Sequence, residues 1–223
     1  MSTAGILPAV DFHLDSARFP DAPGIFDRLG GRSVLSWSFE VLWKAGCRPI
    51  VVPAPQPLVA DVAKELGPRG TVIQSTEQRR TTMLDALAMI SAERVAVLDF
   101  RYPLAAVEDV RATVAGLDEA DACIVAVPVK ETLKLVSEGV VEKTLDRTKM
   151  WHEEMPHAFR VAALRAVHQG AAGAAEPEEA AADDVRAIER FGGRVVLVPG
   201  SRRNVRITSR EELQVAHALM GSM

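Results

Sequence analysis

The sequence predicts an α/β fold: a mostly parallel sheet with helices on both faces and one protruding β-arm. Three observations predict it. Short apolar runs without polar alternation recur along the chain, as strands buried on both faces require. Amphipathic segments lie between them, the strand–helix rhythm of a parallel sheet. The stretch 130–147 instead alternates apolar and polar residues around Ser137-Glu138-Gly139, so it reads as a hairpin with one wet face.

In chain order, an apolar run places the first strand at 5–10. An amphipathic helix follows at 33–45, with Gly46 where a C-terminal cap belongs. Strand 49–52 leads to helix 58–66, again closed by a glycine, Gly67. Strand 71–74, helix 81–92, strand 94–99 and helix 106–117 repeat the unit, and strand 122–129 runs into the arm. In the arm, Leu133, Leu135 and the apolar positions of 140–145 are interleaved with Glu131, Lys134, Glu142 and Lys143. A lone hairpin does not hold itself in water, so a second copy of the chain is its expected cover. Helices at 159–169 and 183–191 flank the Ala/Glu-rich stretch 171–182, whose Gly173 and Pro177 mark a loop or linker. Strand 194–198 precedes a last helix opened by Ser209-Arg210-Glu211-Glu212, a Ser-x-x-Glu capping box. The sequence has no internal repeat.

At 223 residues the chain reads as a single domain, 1–223, able to bury a sizeable core. Hydrophobic residues at 48% and charged ones at 25% are ordinary for a globular protein. A net charge of −4 argues against a nucleic-acid partner. Cys47 and Cys123 have no metal-ligand spacing and read as reduced thiols of a cytoplasmic protein. The opening residues do not form a signal peptide, and no apolar run is long enough to span a bilayer.

The ligand crevice of such a sheet lies at the carboxyl ends of its strands. The first strand delivers Pro8-Ala9-Val10-Asp11-Phe12-His13 there. Glu77-Gln78-Arg79-Arg80-Thr81-Thr82 stands at a helix start, which suits an anion and equally suits plain N-terminal capping. Asp99 ends a hydrophobic strand and is placed either to bind a hard cation such as Mg²⁺ or to cap the next loop. Thr132, Lys134 and Arg147 combine a hydroxyl, an ammonium and a guanidinium fork, a sound phosphate site. The same lysine also suits cross-strand pairing on an exposed ribbon. Asp183-Asp184 complements a helix dipole. Arg202, Arg203 and Arg206 lie within five residues and make an anion site. His152 and His157, five apart with Pro156 between them, do not share one helical face, which argues against zinc.

These stretches resemble the 2-C-methyl-D-erythritol 4-phosphate cytidylyltransferase family. Pro128 to Lys134 matches the P-V-(K/R)-(D/E)-T-x-K that leads that family's dimerisation arm, and Thr144 to Trp151 matches the T-x-D-R-x-x-(L/M)-W that closes it. Glu77, Arg79 and Thr82 fit (D/E)-x-R-x-x-S, and the stretch from Gly200 to Thr208 fits G-x-x-x-N-x-K-(V/I)-T. The resemblance implies a Rossmann-like nucleotidyltransferase fold, a homodimer built through the β-arm, CTP and a sugar phosphate as partners, and Mg²⁺ as cofactor. It assigns Pro8, Ala9, Glu77, Arg79 and Thr82 to the nucleotide, and Thr132, Lys134, Arg147 and Asp183 to the sugar phosphate. Asp99 falls to the metal. Arg206 stands at a catalytic lysine position, and Arg147 acts catalytically across the dimer.

The chain departs from the family pattern at several places. The P-A-A-G-x-G-x-R phosphate loop loses both glycines, its P-K pair becomes Pro23-Gly24, and a second acidic position is Arg203. The implied reaction, CMP transfer from CTP to 2-C-methyl-D-erythritol 4-phosphate, is therefore expected to be impaired. The alternative is a silent dimeric paralogue that binds a sugar phosphate or nucleotide, or that regulates an intact enzyme. A different sugar phosphate or nucleotide would use the same pocket.

Overall fold

A computed structural model of the chain describes residues 2–10, 21–170 and 183–221. The first strand, β1 (Thr3–Ile6), is followed by a two-residue ribbon, β2 (Arg28–Leu29) and β3 (Arg32–Ser33), and then by α1 (Val34–Ala45). Next come β4 (Ile50–Ala54), α2 (Val59–Leu66), β5 (Thr71–Gln74), α3 (Arg79–Ala88), β6 (Arg94–Val97) and α4 (Val107–Gly116). β7 (Ala122–Pro128) leads into β8 (Lys134–Ser137) and β9 (Val140–Thr144), and the chain returns as β10 (Trp151–Arg160). It ends with α5 (Val161–Gly170), α6 (Asp184–Arg190), β11 (Val195–Pro199) and α7 (Arg210–Met220).

Seven strands form one sheet in the order β11-β7-β10-β6-β1-β4-β5. Every pairing is parallel except those of β10, which runs antiparallel to both β6 and β7. The strands are apolar on both faces because both faces are covered. Ile50, Val52, Ala96 and Leu98 point to one side and pack with Leu35, Phe39, Leu42, Val62, Val110 and Leu213 of α1, α2, α4 and α7. Their neighbours Val51, Val95 and Val97 point to the other side, with Met83, Leu87, Leu164 and Ile188 of α3, α5 and α6. That alternation is the period-2 geometry of a strand read against two cores.

Local chemistry sets the boundaries. Ser33 caps α1 by accepting from the Ser36 amide at 3.1 Å. Gly46 closes α1 in the left-handed region at φ 98°, with its amide turned back on the last turn. The first strand ends as regular ladder at Ile6, four residues earlier than the sequence suggests, since Pro8 has no amide to give. Its pairing nonetheless continues through Leu7 N to Val51 O at 3.0 Å and Ala9 N to Pro53 O at 2.7 Å. β10 is the strand that sequence reasoning missed. Phe159 and Arg160, expected to open a helix, belong to it, and α5 starts at Val161. Pro156 sits where the register of β10 against β7 shifts, between Glu154 and His157, a position that proline tolerates within a sheet.

The arm is the expected hairpin. Ser137 pairs with Val140 across Glu138 and Gly139, which stand at φ 48° and 80°. Two consecutive positive φ values mark a tight two-residue turn whose twist matches its strands. Val140 is 68% exposed and Val141 55%, with Leu135 and Val136 nearly as bare. The stretch 171–182, read as a loop or linker, lies outside the described residues. Among the described residues no helix is long and apolar enough to cross a membrane.

Candidate functional site

The crevice forms where β1, β6 and the segment after β11 end. Asp99 lies just beyond β6, and its Oδ1 accepts from the Arg101 amide at 2.9 Å. Its Oδ2 lies 3.7 Å from Arg206 Nη2. Burial raises the Asp99 carboxyl, against the pull of Arg101's backbone amide and of the Arg206 and Arg79 guanidiniums. Arg101 is itself buried, and its guanidinium is brought down to about 10 by desolvation and by the like charge of Arg206. Burial likewise pushes the Tyr102 phenol up. Arg206 reaches this place because Ile207 N donates to Arg101 O at 2.9 Å, tying its segment to the loop after β6. Tyr102, Glu154, Asn204 and Arg206 line a cavity of about 340 Å³ here.

Arg79, the first residue of α3, is anchored from beneath. Its Nη2 donates to Asp184 Oδ2 at 2.5 Å, and His168 Nε2 lies 3.0 Å from Asp184 Oδ1. Burial alone would raise the Asp184 carboxyl, but Arg79 and His168 outweigh it and hold the group well below the usual carboxylate range. Sequence reasoning did not assign this role to Asp184. Its neighbour Asp183, expected at the sugar phosphate, is the N-cap of α6 and accepts from Arg186 N at 3.0 Å. Two adjacent acids at a helix start were the available signal, since the capping one and the inward one are consecutive.

The other residues expected at the nucleotide follow the carboxyl ends of β1 and β5. Pro8 and Ala9 are buried at the end of the first strand, whereas Asp11, Phe12, His13 and Arg18 lie outside the described residues. Thr82 is buried, with its hydroxyl accepting from Thr76 N at 2.8 Å. Glu77 is exposed. α3 has Gln78 at its N-cap position without a side-chain cap, so Ser75, Thr76 and Thr81 do not supply one. Gly24, for which the sequence resemblance expects a lysine, is exposed, and its amide donates to Asp27 Oδ2 at 2.7 Å.

Thr132, Lys134 and Arg147 belong to the arm. Lys134 Nζ donates to Thr144 Oγ1 at 2.6 Å, across the hairpin. Arg147 donates to the Lys130 carbonyl at the arm's base. A cavity of about 600 Å³ lies there, lined by Val129, Leu133, Met150, Trp151 and Arg202. Thus the fold gathers Asp99, Arg206 and Arg79 in the crevice, while Lys134 and Arg147 make their hydrogen bonds within the arm region. Among the described residues no three His, Cys, Asp or Glu side chains are placed to hold a metal ion together. Asp99 is a lone carboxylate, which suits Mg²⁺ carried mainly by substrate phosphates.

The family model for 2-C-methyl-D-erythritol 4-phosphate cytidylyltransferase (IspD) matches residues 18–222. The chain is 36% identical over 154 residues to the cytidylyltransferase of that name from Syntrophotalea carbinolica, covering 68% of this chain and 65% of that protein. It therefore spans just under two thirds of that relative's length. It is 34% identical over 154 residues to the one from Aquifex aeolicus, covering 69% of this chain and 70% of that protein. Among solved structures, the 4-diphosphocytidyl-2C-methyl-D-erythritol synthase of Anaerococcus prevotii superposes with a TM-score of 0.84 at 20% identity, covering 99% of this chain and 98% of that one. The Thermus thermophilus cytidylyltransferase gives 0.78 at 23%, covering 99% and 100%. At those identities the structural likeness is one of fold.

Proposed function

The chain belongs to the 2-C-methyl-D-erythritol 4-phosphate cytidylyltransferase family, and we propose that it transfers CMP from CTP to 2-C-methyl-D-erythritol 4-phosphate for isoprenoid precursor synthesis. We further propose that it does so slowly, as a cytoplasmic dimer. One observation carries the reading: Arg206 lies 3.7 Å from Asp99 at the carboxyl ends of the strands, with Arg79 acting on the same carboxylate.

In the proposed step a phosphate oxygen of the sugar attacks the α-phosphorus of CTP. The bond from that phosphorus to the α–β bridging oxygen breaks, and pyrophosphate leaves with the electron pair. Such transfer depends on positioning and charge neutralisation rather than on a covalent enzyme intermediate. Arg206 and Arg79 supply fixed positive charge where negative charge develops. Asp184 keeps Arg79 in place, so that little reorganisation is needed on binding. Asp99 would hold Mg²⁺ delivered with the triphosphate, and that ion would offset the charge of the leaving pyrophosphate. Thr132, Lys134 and Arg147 would take the sugar phosphate across the dimer, the exposed face of the arm being covered by the second copy.

Two features make the reaction slow. Gly24 offers no ammonium to the phosphates, and Arg206 presents a planar fork where the family pattern has a compact point charge. The test is pyrophosphate release from CTP and the sugar phosphate. Slow wild-type turnover should fall by roughly 10²–10³ in Arg206→Ala, the typical cost of removing one preorganised charge. Absence of release by wild-type protein that still binds CTP in calorimetry would replace this reading by the silent paralogue. The exposed Gly24, which carries no ammonium where the family resemblance expects one, favours that second reading.

A further inference from the structure

Arg206 stands on a stretch with no ladder of its own. Gly200 to Thr208, between β11 and α7, belongs to no helix or strand, so individual tethers must fix its backbone. The stretch is pinned where it starts. Gly200 N donates to Ala126 O at 2.8 Å, and a Cβ on Gly200 would collide with Val125 Cγ1. Just after Arg206 it is pinned again, by Ile207 N donating to Arg101 O at 2.9 Å. Of residues 201–206, only Asn204 is buried, at 4% exposed. Its Nδ2 donates to Met155 O at 2.6 Å and to Glu154 Oε2 at 3.3 Å.

Both acceptors come from an interruption in β10. Its pairing with β7 passes from Glu154 directly to His157, and its pairing with β6 begins at His157. The Met155 carbonyl therefore has no place in either ladder and needs another donor. The Asn204 amide is the group that reaches it. Because both partners are acceptors, the side chain must present its NH₂ group rather than its oxygen. The break in β10 and the irregular stretch that carries Arg206 thus complete each other, one supplying spare acceptors and the other the donors. Arg202 and Arg203 also bond outward from this stretch, to Pro128 O and Leu219 O. Both are exposed, where water competes for the same groups.

We infer that Asn204 is a positioning residue for the crevice: it fixes the backbone from which Arg206 reaches toward Asp99 and the phosphates of a bound nucleotide. The inference rests on the reading of Arg206 as a charge that acts on those phosphates. Without the Asn204 tether the stretch is anchored only at Gly200 and Ile207, and the guanidinium is free to shift. A displacement of about 1 Å at a reacting centre can cost as much as 10²-fold in rate.

The test is a double-mutant cycle on CTP–Mg²⁺ affinity, measured by calorimetry on wild type, Asn204→Ala, Arg206→Ala and the double variant. With Arg206 present, Asn204→Ala should weaken binding at least about fivefold. In the Arg206→Ala background it should weaken binding less than about twofold, the non-additivity of residues that act as one. Amide hydrogen exchange in Asn204→Ala should quicken across 201–207 and stay unchanged in β6 and β7. A side chain that only supports the fold would cost no affinity, or the same affinity in both backgrounds. Either result overturns the inference, as does unchanged exchange across 201–207. If Asn204→Ala does not fold by circular dichroism, Asn204→Asp, of the same size but without the donors, carries the cycle. Failure of both to fold would show that Asn204 holds the fold rather than Arg206, and would overturn the inference too. Wild type that binds CTP but releases no pyrophosphate with the sugar phosphate refutes the transfer reading alone, and the cycle still decides this one. Wild type that binds no CTP refutes both.

Discussion

Replacing Asp184 by Asn isolates the charge that anchors Arg79. The two side chains are 3% and 10% exposed and meet at 2.5 Å, and the second carboxylate oxygen faces His168. Asn has nearly the same shape, so the change leaves no cavity, only a guanidinium that has lost its counter-charge. Removing one partner of a buried pair costs about 3–5 kcal/mol, a large part of the roughly 5–15 kcal/mol of a typical domain. With a urea m-value of about 1–3 kcal/mol/M, the unfolding midpoint should fall by about 1 M or more. The pH dependence gives a second reading. The folded-state carboxyl is depressed by Arg79 and His168 against its own burial. Its stabilisation is therefore complete above the unfolded carboxylate value of about 3.9 and is lost as pH falls below that toward the folded value. The gap between wild type and Asp184→Asn should be constant near neutrality and should close in acid below about pH 4. A midpoint change under about 0.3 M at neutral pH, or a gap that persists unchanged into acid, would refute the electrostatic account of this pair.

Replacing 134–146 by a short Gly/Ser turn should convert a dimer into a monomer in light scattering, because Leu135, Val136, Val140 and Val141 are exposed on the isolated chain. A variant that remains dimeric would remove the arm from the interface. Gly24→Lys should fold normally, since a Cβ there meets only Asp27 Oδ2, at 3.9 Å. It should tighten CTP–Mg²⁺ binding in calorimetry by up to roughly fivefold, the scale of one exposed charge contact; unchanged affinity would mean that the triphosphate does not pass this residue.

The apolar strands were legible because burial on both faces leaves no room for polar alternation. Ile50, Val51 and Val52 are all fully buried, and the sequence shows them as a run. β10 was not legible for the converse reason. Trp151, His152 and Glu153 at its start are exposed, and Pro156 interrupts its register, so neither alternation nor a run survives in the sequence. The C-terminal capping box was legible by type, and Ser209 does accept from Glu212 N at 3.2 Å. The return bond differs: Glu212 takes the amide of Thr208 at 2.6 Å, one residue before the cap. Asp99 could be placed at a strand end from the apolar residues before it. The inward turn of Asp184 could not be read locally, because it depends on Arg79, 105 residues away, and on His168 from another helix.

The charge pattern of the crevice follows a single logic. Arg206 lowers the Arg101 guanidinium, and burial does so more strongly; two cations close together and partly desolvated oppose each other. Asp99 offsets this only in part, because one of its oxygens takes the Arg101 amide and the other stands 3.7 Å from Arg206. Such an arrangement is costly empty and least costly when an anion sits among the guanidiniums, which makes it a candidate functional site on physical grounds. The sequence points the same way, since Arg202, Arg203 and Arg206 concentrate positive charge in the segment after β11. A nucleotide bound there would draw more of its phosphate neutralisation from the segment after β11, whose position is fixed by the Ile207 amide on Arg101. Calorimetry at rising salt checks this: an anion held by these guanidiniums should bind more weakly as salt is added, and an affinity indifferent to salt would refute it.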